Sequence, residues 1–354
     1  MRVDSFMVTG LDRWAAQHEA YRARSPAPSQ LPRLECLELT NDCNLRCAMC
    51  PRSGARPVGY LDLGFLGRLL EREGRWLQGQ HVWLHFHGEP LLHPRLLEAV
   101  RLVRAAGAYP RLSTNCTLLT PEVSRGLIQS GLSYLVFSVD GWSPTTHRAL
   151  RRGSDFEAVT ANVLQFLRFR REMGATEPLT QVQFLDAGPT HEGIDRAWEL
   201  WADSGVDFIN IRRISSRAGQ VRGWRRLRLP GAPAAATKDR PPCWWLWHAT
   251  VVLCDGRVAP CCCDLEGSMI LGDLRHQSLA EVWGGPAYRR LRQRQAEGRF
   301  EGLCARCEDW LGYHPSEWER LRKYAGGAPP RQGDVVRVHN IVAVGRRGAG
   351  RIAE

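Results

Sequence analysis

Three cysteines, Cys43, Cys47 and Cys50, lie within one short segment, LTNDCNLRCAMCP, and are spaced as C-x3-C-x2-C. The segment directly follows a strand-like run at 34–39. Three thiolates on one loop can each bind an iron of a four-iron cubane, which leaves the fourth iron without a protein ligand. A structural zinc site would need a fourth Cys or His close by in the sequence, and the nearest histidines lie on or beside the next strand-like run. The spacing therefore favours an iron–sulfur cluster with one open iron over zinc.

The 34–213 region alternates short apolar runs with longer amphipathic stretches, and this order repeats about six times. Such alternation is typical of a parallel β/α architecture. Six units are fewer than the eight of a closed barrel, so we expect an α/β fold with a partial (β/α)6 TIM-like barrel. The predicted strands are 34–39, 82–86, 109–113, 134–139, 180–185 and 207–211, and the predicted helices begin near residues 61, 94, 121, 155 and 191.

Composition places the chain among globular proteins. Of its 354 residues, 44% are apolar and 24% are charged, which excludes disordered and fibrous classes. No run approaches the roughly 18 apolar residues of a membrane span, and the N-terminus has no apolar core or cleavage site. We therefore expect a cytoplasmic protein without a membrane partner. In that compartment twelve cysteines indicate metal binding or reactive thiols rather than disulfides.

The net charge of +11 comes almost entirely from arginine, since Lys238 and Lys323 are the two lysines among 48 basic residues. Arginine binds carboxylates and phosphates in a bidentate way, but charge alone does not establish a nucleic-acid partner. An Arg-rich run without acidic residues spans 212–228. A solvated linker is the default interpretation of this run, and binding of a phosphorylated, nucleotide-linked or acidic-peptide substrate is the functional one.

A second set of cysteines lies in the last third of the chain. Cys243, Cys261, Cys304 and Cys307 combine a hairpin-like segment with a C-x2-C pair. Four thiolates can bind all four irons of a cubane and leave no open site, but they also suit a structural zinc ribbon. Residue types and spacing alone leave iron–sulfur and zinc equally open at this site.

The first cysteine segment resembles the cluster loop of the radical S-adenosylmethionine (radical SAM) superfamily. The resemblance covers about residues 34–213 and implies a [4Fe–4S] cluster whose open iron is chelated by the amino and carboxylate groups of SAM. In that superfamily the reduced cluster cleaves SAM to a 5′-deoxyadenosyl radical, which abstracts hydrogen from substrate. Many members have an aromatic residue just before the last cysteine, where it approaches the adenine, and Met49 stands there in this chain. An external one-electron donor such as flavodoxin or ferredoxin is implied as well.

Polar segments at the ends of the next three predicted strands support this resemblance. HGEP at 87–90 resembles the family's GGEP motif, in which Gly admits a close backbone approach and Glu accepts from the SAM ammonium group. TNC at 114–116 and FSVDG at 137–141 are similar to its TNG and SxDG segments. Turn formation at 140–141 and a solvated arginine pair at 151–152 are the structural alternatives. The implied SAM-binding residues are Met49, Gly88, Glu89, Pro90, Asn115, Ser138 and Arg152, the last as a carboxylate clamp.

The C-terminal part of the chain resembles the SPASM/twitch extension of radical SAM enzymes. The resemblance rests on C-x12-G-x4-C, which joins Cys243, Gly256 and Cys261, and on the later C-x2-C pair. No cysteine follows Cys307, so the shorter twitch form with one auxiliary [4Fe–4S] cluster fits better than the full form with two. This resemblance implies iron–sulfur ligation by Cys243, Cys261, Cys304 and Cys307.

Two further cysteines adjoin a predicted ligand. We interpret Cys262 and Cys263 as small buried residues, and a spare cluster ligand or a hydrogen-atom donor is the functional alternative for either thiol. No other catalytic residue is assigned from the sequence.

Domain boundaries follow from the same patterns. Strand-like runs at 249–253 and 257–260 flank a Cys-Asp-Gly turn, which predicts a hairpin, and helices are expected at 278–297 and beyond Cys307. The predicted units are an N-terminal extension at 1–33, the barrel at 34–218, a linker at 219–242, a small α+β iron–sulfur (twitch) domain at 243–325 and a basic tail at 326–354.

A radical SAM core would fix the first chemical step and leave the outcome open. An auxiliary cluster near the barrel mouth can accept the electron lost when a substrate radical beside a hydroxyl or amine is deprotonated, which is a dehydrogenation. The short segment before the first strand favours a small polar substrate, such as an aminocyclitol or sugar alcohol, over a peptide held by a winged-helix domain. Crosslinking or epimerisation of a ribosomal peptide is the enzymatic alternative. A zinc-stabilised, Arg-rich nucleic-acid-binding protein is the non-enzyme alternative, but it does not explain the polar motifs at the strand ends.

Overall fold

Six parallel strands form the centre of the computed structural model, which describes residues 11–229, 240–310, 335–338 and 341–344. Each strand pairs with the next in chain order, and helices connect them. The α/β partial barrel predicted from the alternating pattern is therefore confirmed. The strands are β1 Arg33–Leu37, β2 His81–Trp83, β3 Tyr109–Thr114, β4 Tyr134–Ser138, β5 Leu179–Asp186 and β6 Phe208–Arg213.

The helices that connect these strands begin within three residues of the predicted positions, and α5 is an addition that the periodicity did not show. Side-chain caps fix several of the starts: Asp62, Thr120 and Asp155 each accept a hydrogen bond from a backbone N–H of the first turn. In chain order, the described helices up to residue 229 are α1 Leu11–Arg22, α2 Leu63–Leu77, α3 Leu96–Ala105, α4 Pro121–Gln129, α5 Pro144–Leu150, α6 Phe156–Glu172, α7 Ile194–Ala202 and α8 Trp224–Leu227.

The main core lies between the sheet and these helices. Leu112, Phe137 and Val182 are 0% exposed and project from neighbouring strands toward the helices. Burial of a side chain of this size contributes about 1.5–3 kcal/mol, so this layer holds the barrel together. Polar groups occur on the sheet as well, where the Tyr134 hydroxyl donates to the Gln181 side-chain oxygen (2.6 Å).

The C-terminal cysteine region extends the same sheet. The hairpin predicted around the Cys-Asp-Gly turn is present, because β7 (Ala249–Val252) pairs antiparallel with β8 (Arg257–Ala259). A short strand, β9 (Gly272–Asp273), follows β8, and β7 lies parallel to β1. The complete sheet has nine strands in the order β6-β5-β4-β3-β2-β1-β7-β8-β9, so the hairpin docks directly beside the strand that leads into the first cysteine segment.

The helix expected at 278–297 is interrupted. A short helix, α9 (Trp245–His248), precedes β7, and the later region forms α10 (Leu279–Trp283) and α11 (Pro286–Ala296). Gly284 and Gly285 end α10, and Pro286 opens α11 at the position where a missing N–H costs nothing. The prediction of one continuous helix was wrong for this reason.

Two elements lie outside the barrel strands. Helix α1 packs on the C-terminal region, where the Tyr21 ring meets Trp244 and Trp247 edge-on at 5.2 and 5.5 Å. Near the C-terminus, β10 (Val335–Val338) pairs antiparallel with β11 (Ile341–Val344). The helix expected beyond Cys307 falls outside the described residues. No helix in the described ranges has the length and apolar character that a bilayer crossing demands.

Candidate active site

The loop between β1 and α2, residues 38–62, is the cysteine loop and carries Cys43, Cys47 and Cys50 as partly buried free thiols. The Cys50 N–H donates to the Cys47 carbonyl (3.1 Å), and the Cys43 N–H donates to the Asp42 carboxylate (2.8 Å). Burial raises the pKa of each of the three thiols, so binding of a metal cluster here must release protons. Three soft thiolates on one turn fit an iron–sulfur cluster with one open iron.

The end of β2 is fastened to the cysteine loop through the backbone. The Glu89 N–H donates to the Asp42 carbonyl (2.7 Å). Gly88 approaches the loop so closely that a Cβ atom there would stand 2.1 Å from the Thr40 carbonyl oxygen. A side chain at position 88 would therefore push the strand end and the loop apart. The structure gives this glycine a packing role toward the loop, and its role toward SAM stays a prediction.

The Glu89 side chain is 2% exposed and joins the HGEP segment to the end of β3. One carboxylate oxygen accepts from the Thr114 hydroxyl (2.7 Å) and the Leu91 N–H (3.1 Å), and the other accepts from the Asn115 N–H (2.8 Å). Burial raises the pKa of Glu89, although these hydrogen bonds oppose the rise. A carboxylate has lone pairs for about four donors, so an ammonium group can still be accepted here.

Asn115 and Ser138 are buried at the ends of β3 and β4. The Asn115 amide donates to the Asn44 side chain of the cysteine loop (2.9 Å), and the hydroxyls of Ser138 and Ser113 share a hydrogen bond (2.8 Å). Pro90 is buried and opens a 3₁₀ turn after β2. The structure thus brings these predicted residues together at the carboxyl ends of adjacent strands, beside the cysteine loop.

Met49 faces a different set of neighbours. It packs against an apolar cluster that includes Leu150, Ala187, Val221 and Leu227. A soft thioether can pack on a flat ring as well as on aliphatic groups. Contact between Met49 and an adenine stays a prediction.

The two arginines after α5 occupy different environments. Arg152, the predicted carboxylate clamp, is exposed, and its carbonyl accepts from the Arg46 N–H (3.2 Å). Arg151 instead turns inward and pairs with Asp140, with Nη2 and Nε at 2.6 and 2.7 Å from one carboxylate oxygen. The solvated-pair interpretation therefore does not describe Arg151, which sequence reasoning missed as a site residue. Adjacent arginines in a loop carry no periodicity that tells which one is buried.

The four cysteines of the second set, which we call the auxiliary site, come from three places in the chain. Cys243 precedes α9, Cys261 follows β8, Cys304 lies in a short 3₁₀ turn, and Cys307 directly follows that turn. Burial raises the pKa of the Cys243 thiol, and the other three thiols lie near enough to raise it further. Four convergent thiols, far apart in sequence, fit an auxiliary iron–sulfur cluster with all its irons ligated.

Backbone and side-chain contacts hold this auxiliary site together. The Cys243 N–H donates to the Gln295 side-chain oxygen of α11 (2.8 Å). Arg240 donates to the carbonyls of Cys304 (2.6 Å) and Cys307 (3.3 Å). The 3₁₀ turn with its C-x2-C pair is therefore tied to the segment that enters α9.

The thiols of Cys262 and Cys263 point to different surroundings. Cys263 is 3% exposed, and its sulfur, the Cys307 sulfur and an Asp309 carboxylate oxygen lie within 4.8 Å of one another. Cys262 is partly exposed, and its sulfur lies 3.9 Å from an Arg217 guanidinium nitrogen. The buried-residue interpretation therefore fits Cys263 better than Cys262, and the reactive role of either thiol stays a prediction.

The Arg-rich run at 212–228 lies partly against the auxiliary site. The Ala218 N–H donates to the Asp309 carboxylate (2.9 Å), and Gln220 donates to the Cys263 carbonyl (2.7 Å). Arg222, Arg225 and Arg226 are exposed, in agreement with a solvated segment. Sequence reasoning missed Asp309 and did not predict that Arg217, in the Arg-rich run, lies beside Cys262, because both contacts join distant parts of the chain.

Two family models match the chain over these sites. The model for the radical SAM superfamily matches residues 37–176, and the SPASM model, an iron–sulfur cluster-binding domain, matches residues 243–308. The first range contains the cysteine loop and the polar strand ends. The second contains all four cysteines of the auxiliary site.

Individual relatives are similar to this chain in sequence, and solved structures are similar to it in fold. The chain is 29% identical over 180 residues to a tungsten-containing aldehyde ferredoxin oxidoreductase cofactor-modifying protein of Pyrococcus furiosus, a match that covers half of this chain and half of that relative's length. It is 23% identical to an S-adenosyl-L-methionine-dependent 2-deoxy-scyllo-inosamine dehydrogenase of Niallia circulans, over 77% of this chain and 91% of that relative. The fold is similar to that of Streptococcus suis SuiB bound to precursor peptide SuiA, with a TM-score of 0.61 at 13% identity over 86% of this chain and 75% of SuiB.

Proposed function

This chain belongs to the radical SAM superfamily and carries a SPASM iron–sulfur domain, and from that premise we propose that it dehydrogenates a small polar substrate such as an aminocyclitol or a sugar alcohol. A radical SAM enzyme of this kind uses a [4Fe–4S] cluster, SAM and auxiliary iron–sulfur. Cys43, Cys47 and Cys50 would hold the cluster that binds SAM. When bound, these groups supply a 5′-deoxyadenosyl radical that removes one hydrogen atom from the substrate.

The polar strand ends would bind and orient SAM beside the cysteine loop. Glu89 is fixed by donors from β3 and can accept from an ammonium group, while Ser138 and Asn115 offer hydroxyl and amide groups at the next two strand ends. Arg152 is exposed next to the loop and is free to swing toward a carboxylate. Glu89, Asn115 and Ser138 lie at or beyond the carboxyl ends of β2, β3 and β4, where parallel barrels place their active sites.

One observation carries the dehydrogenase proposal: the auxiliary region packs directly on the cysteine loop. The Glu266 carboxylate, from the segment just after Cys261, accepts from the N–H and hydroxyl of Ser53 (both 2.8 Å) and from the Arg56 N–H (3.2 Å). His87, in the segment after β2, contacts the Cys262 carbonyl (3.3 Å). A substrate bound at the barrel mouth would therefore lie between the two cysteine sites.

This placement gives the auxiliary site a redox task. After hydrogen-atom abstraction, loss of a proton from a neighbouring hydroxyl or amine and of one electron gives a carbonyl or imine. Cys243, Cys261, Cys304 and Cys307 would hold the auxiliary cluster that takes up this electron. An external donor such as flavodoxin or ferredoxin would supply the electron that starts each turnover. The dehydrogenase relative matches over three quarters of this chain, which supports the same reaction class.

The proposal is tested by anaerobic incubation of the purified protein with a reductant, SAM and a panel of aminocyclitols, sugar alcohols and peptides. We expect 5′-deoxyadenosine to form and one small substrate to lose two mass units. Metal analysis of the same protein should give about eight irons with matching sulfide per chain. A peptide that loses two mass units would indicate crosslinking, and an unchanged peptide mass with solvent deuterium would indicate epimerisation. Zinc without iron, or no deoxyadenosine, would contradict the radical mechanism itself.

A further inference from the structure

The cysteine loop and the segment after α5 run side by side next to Cys47. The Arg46 N–H donates to the Arg152 carbonyl (3.2 Å), and the Ala48 N–H donates to the Leu150 carbonyl (2.8 Å). The two bonds pair the segments in an antiparallel orientation. Cys47 therefore faces Arg151. Side chains of facing residues in such a pair project to the same side. Cys47 and Arg151 are therefore neighbours because of the backbone pairing.

The guanidinium of Arg151 is held in place from its other side. Its Nη2 and Nε atoms lie 2.6 and 2.7 Å from one oxygen of Asp140, which is itself 0% exposed. Asp140 has a left-handed φ of +47°, a backbone conformation that costs energy for a residue other than glycine. A buried ion pair on a strained residue gives Arg151 few alternative positions.

The charges around Cys47 are consistent with this geometry. The Arg151 guanidinium lies within hydrogen-bonding reach of the Cys47 sulfur. A guanidinium stays protonated in a protein, and the Asp140 carboxylate pairs with it from the other side. Arg151 is therefore a permanent positive charge in contact with one cluster ligand.

Three arginines near Cys47 differ from Arg151 in exposure. Arg46, Arg148 and Arg152 are all exposed, so water and salt screen their charges. Arg52 is 19% exposed, but its charge lies beside Cys43 and Cys50. The Arg151 side chain is 13% exposed. A buried charge acts on a neighbouring sulfur much more strongly than an exposed one does.

We propose that Arg151 is a positioning residue that donates a hydrogen bond to the Cys47 sulfur and makes the cluster of the cysteine loop easier to reduce. Hydrogen bonds to cluster sulfurs and the net charge around a cluster set its reduction potential. Reduction adds one negative charge to the cluster, so a fixed positive charge beside a ligand sulfur favours the reduced form. The inference rests on the proposed function, because it requires the cluster at Cys43, Cys47 and Cys50.

The test is a redox titration of the cluster-loaded protein followed by electron paramagnetic resonance, in which the signal that changes on SAM addition identifies the cluster of the cysteine loop. In Arg151→Gln we expect the ratio of reduced to oxidised cluster at a fixed potential to fall about tenfold, which is a negative shift of about 59 mV for one electron. Arg151→Lys keeps the charge and should shift less. Arg148→Gln removes an exposed charge from α5, the helix just before Arg151, and should titrate like the wild type.

Arg151→Gln leaves Asp140 buried without its partner, which can lower the yield of folded protein. Asp140→Asn/Arg151→Gln replaces the ion pair by two amides and should shift the ratio in the same direction by a smaller factor, since the Asp140 charge is lost as well. A wild-type ratio in both the single and the double variant, with full iron content, would overturn the proposal. An equal shift in Arg151→Lys and Arg151→Gln would also overturn it, because charge would then not be the cause.

The two levels of inference fail in different ways. If the wild-type protein holds no SAM-responsive cluster, the proposed function is wrong. If the wild-type cluster responds to SAM and the Arg151 variants titrate like it, the function stands and Arg151 has no influence on reduction. Loss of SAM affinity in Arg151→Gln with an unchanged reduction ratio would assign the residue to SAM instead and reject the tuning role.

Discussion

The two cysteine sites of this molecule are built in opposite ways. The cysteine loop places three thiols within eight residues, and its shape comes from short-range hydrogen bonds such as that between Cys50 and Cys47. The auxiliary site collects four thiols from between Cys243 and Cys307, so its shape depends on a hairpin, two helices and a 3₁₀ turn. A local site can form early in folding, whereas a dispersed site requires the complete domain.

The number of thiols in each site matches a different task. Three ligands leave one iron of a cubane open for a second molecule, and the polar ends of β2, β3 and β4 stand beside that site. Four ligands leave no iron open, and the contacts around the auxiliary site are with the protein itself, such as the Arg240 bonds to the Cys304 and Cys307 carbonyls. The comparison suggests chemistry at the loop and electron storage at the auxiliary site.

The largest effect should come from removing a thiol of the cysteine loop. Cys43→Ala, Cys47→Ala and Cys50→Ala should each abolish 5′-deoxyadenosine formation and lower iron by about four per chain, because three ligands are the minimum for a cluster with one open iron. The measurement is deoxyadenosine by chromatography beside iron and sulfide analysis. Cys36→Ala, at a buried cysteine of β1, is the control and should keep all its iron. Persistent SAM cleavage in all three loop variants would refute the assignment of this site.

A smaller but still severe effect is expected from Gly88→Ala. The new Cβ would meet backbone atoms, the carbonyl oxygens of Thr40 at 2.1 Å and Asp42 at 2.6 Å, which cannot rotate away. We expect the cysteine loop to shift and the variant to lose about 1–3 kcal/mol of stability, together with most of its SAM-responsive cluster. Gly74→Ala in α2 is the matched control, because a Cβ there meets no atom within 4 Å. Normal cluster loading in Gly88→Ala would show that the loop does not depend on this close approach.

Substitutions in the auxiliary site should affect product formation more than SAM cleavage. Cys304→Ala and Cys307→Ala should lose most of the dehydrogenated product, but retain more of their deoxyadenosine formation, since electron removal follows hydrogen abstraction. The ratio of deoxyadenosine to product is the quantity to measure. Cys262→Ala, outside the predicted ligand set, should leave auxiliary iron in place. Equal product from the Cys304 variant and the wild type would remove the electron-acceptor role from the auxiliary site.

The same contrast explains what the sequence could predict. The cysteine loop was readable because its ligands are neighbours in sequence and follow a strand, and the motifs that contain Glu89, Asn115 and Ser138 end successive strands. The partial barrel followed from alternating apolar and amphipathic stretches. The Gly284-Gly285-Pro286 break was missed although it has a local signal, since this combination ends one helix and begins another.

Other features had no local signal. Arg151 and Arg152 are adjacent and chemically identical, and only the pairing with Asp140 and the cysteine loop turns the first inward. The Asp309 carboxylate accepts a hydrogen bond from Ala218, and the Glu266 carboxylate accepts one from Ser53. The partners in each pair are many tens of residues apart in the sequence. The parallel contact of β7 with β1 is also long-range, and it decides that the auxiliary region lies beside the cysteine loop. Tertiary packing sets all of these, so spacing and periodicity could not show them.

The smallest predicted effect concerns the contact that joins the two sites. Glu266→Ala removes a carboxylate that accepts from Ser53 and Arg56, and because the group is partly exposed we expect a loss of about 1 kcal/mol in unfolding free energy. The ratio of deoxyadenosine to product should rise modestly, since the auxiliary region is then held less firmly against the cysteine loop. Denaturant unfolding under anaerobic conditions and the turnover ratio are the two measurements.

The stabilisation by the Glu266 contact should depend on pH. Partial burial opposes ionisation of Glu266, but hydrogen bonds from Ser53 lower its pKa below the ordinary value. The stabilisation is therefore complete above the unfolded-state pKa of about 4.3 and is lost as the pH falls through the lowered pKa of the folded state. Wild type and Glu266→Ala should differ in stability at neutral pH and converge in acid. Glu199→Gln, at an exposed position of α7, should follow the wild type throughout. A constant difference down to acid pH, or none at neutral pH, would mean that the Glu266 charge does not link the auxiliary region to the cysteine loop.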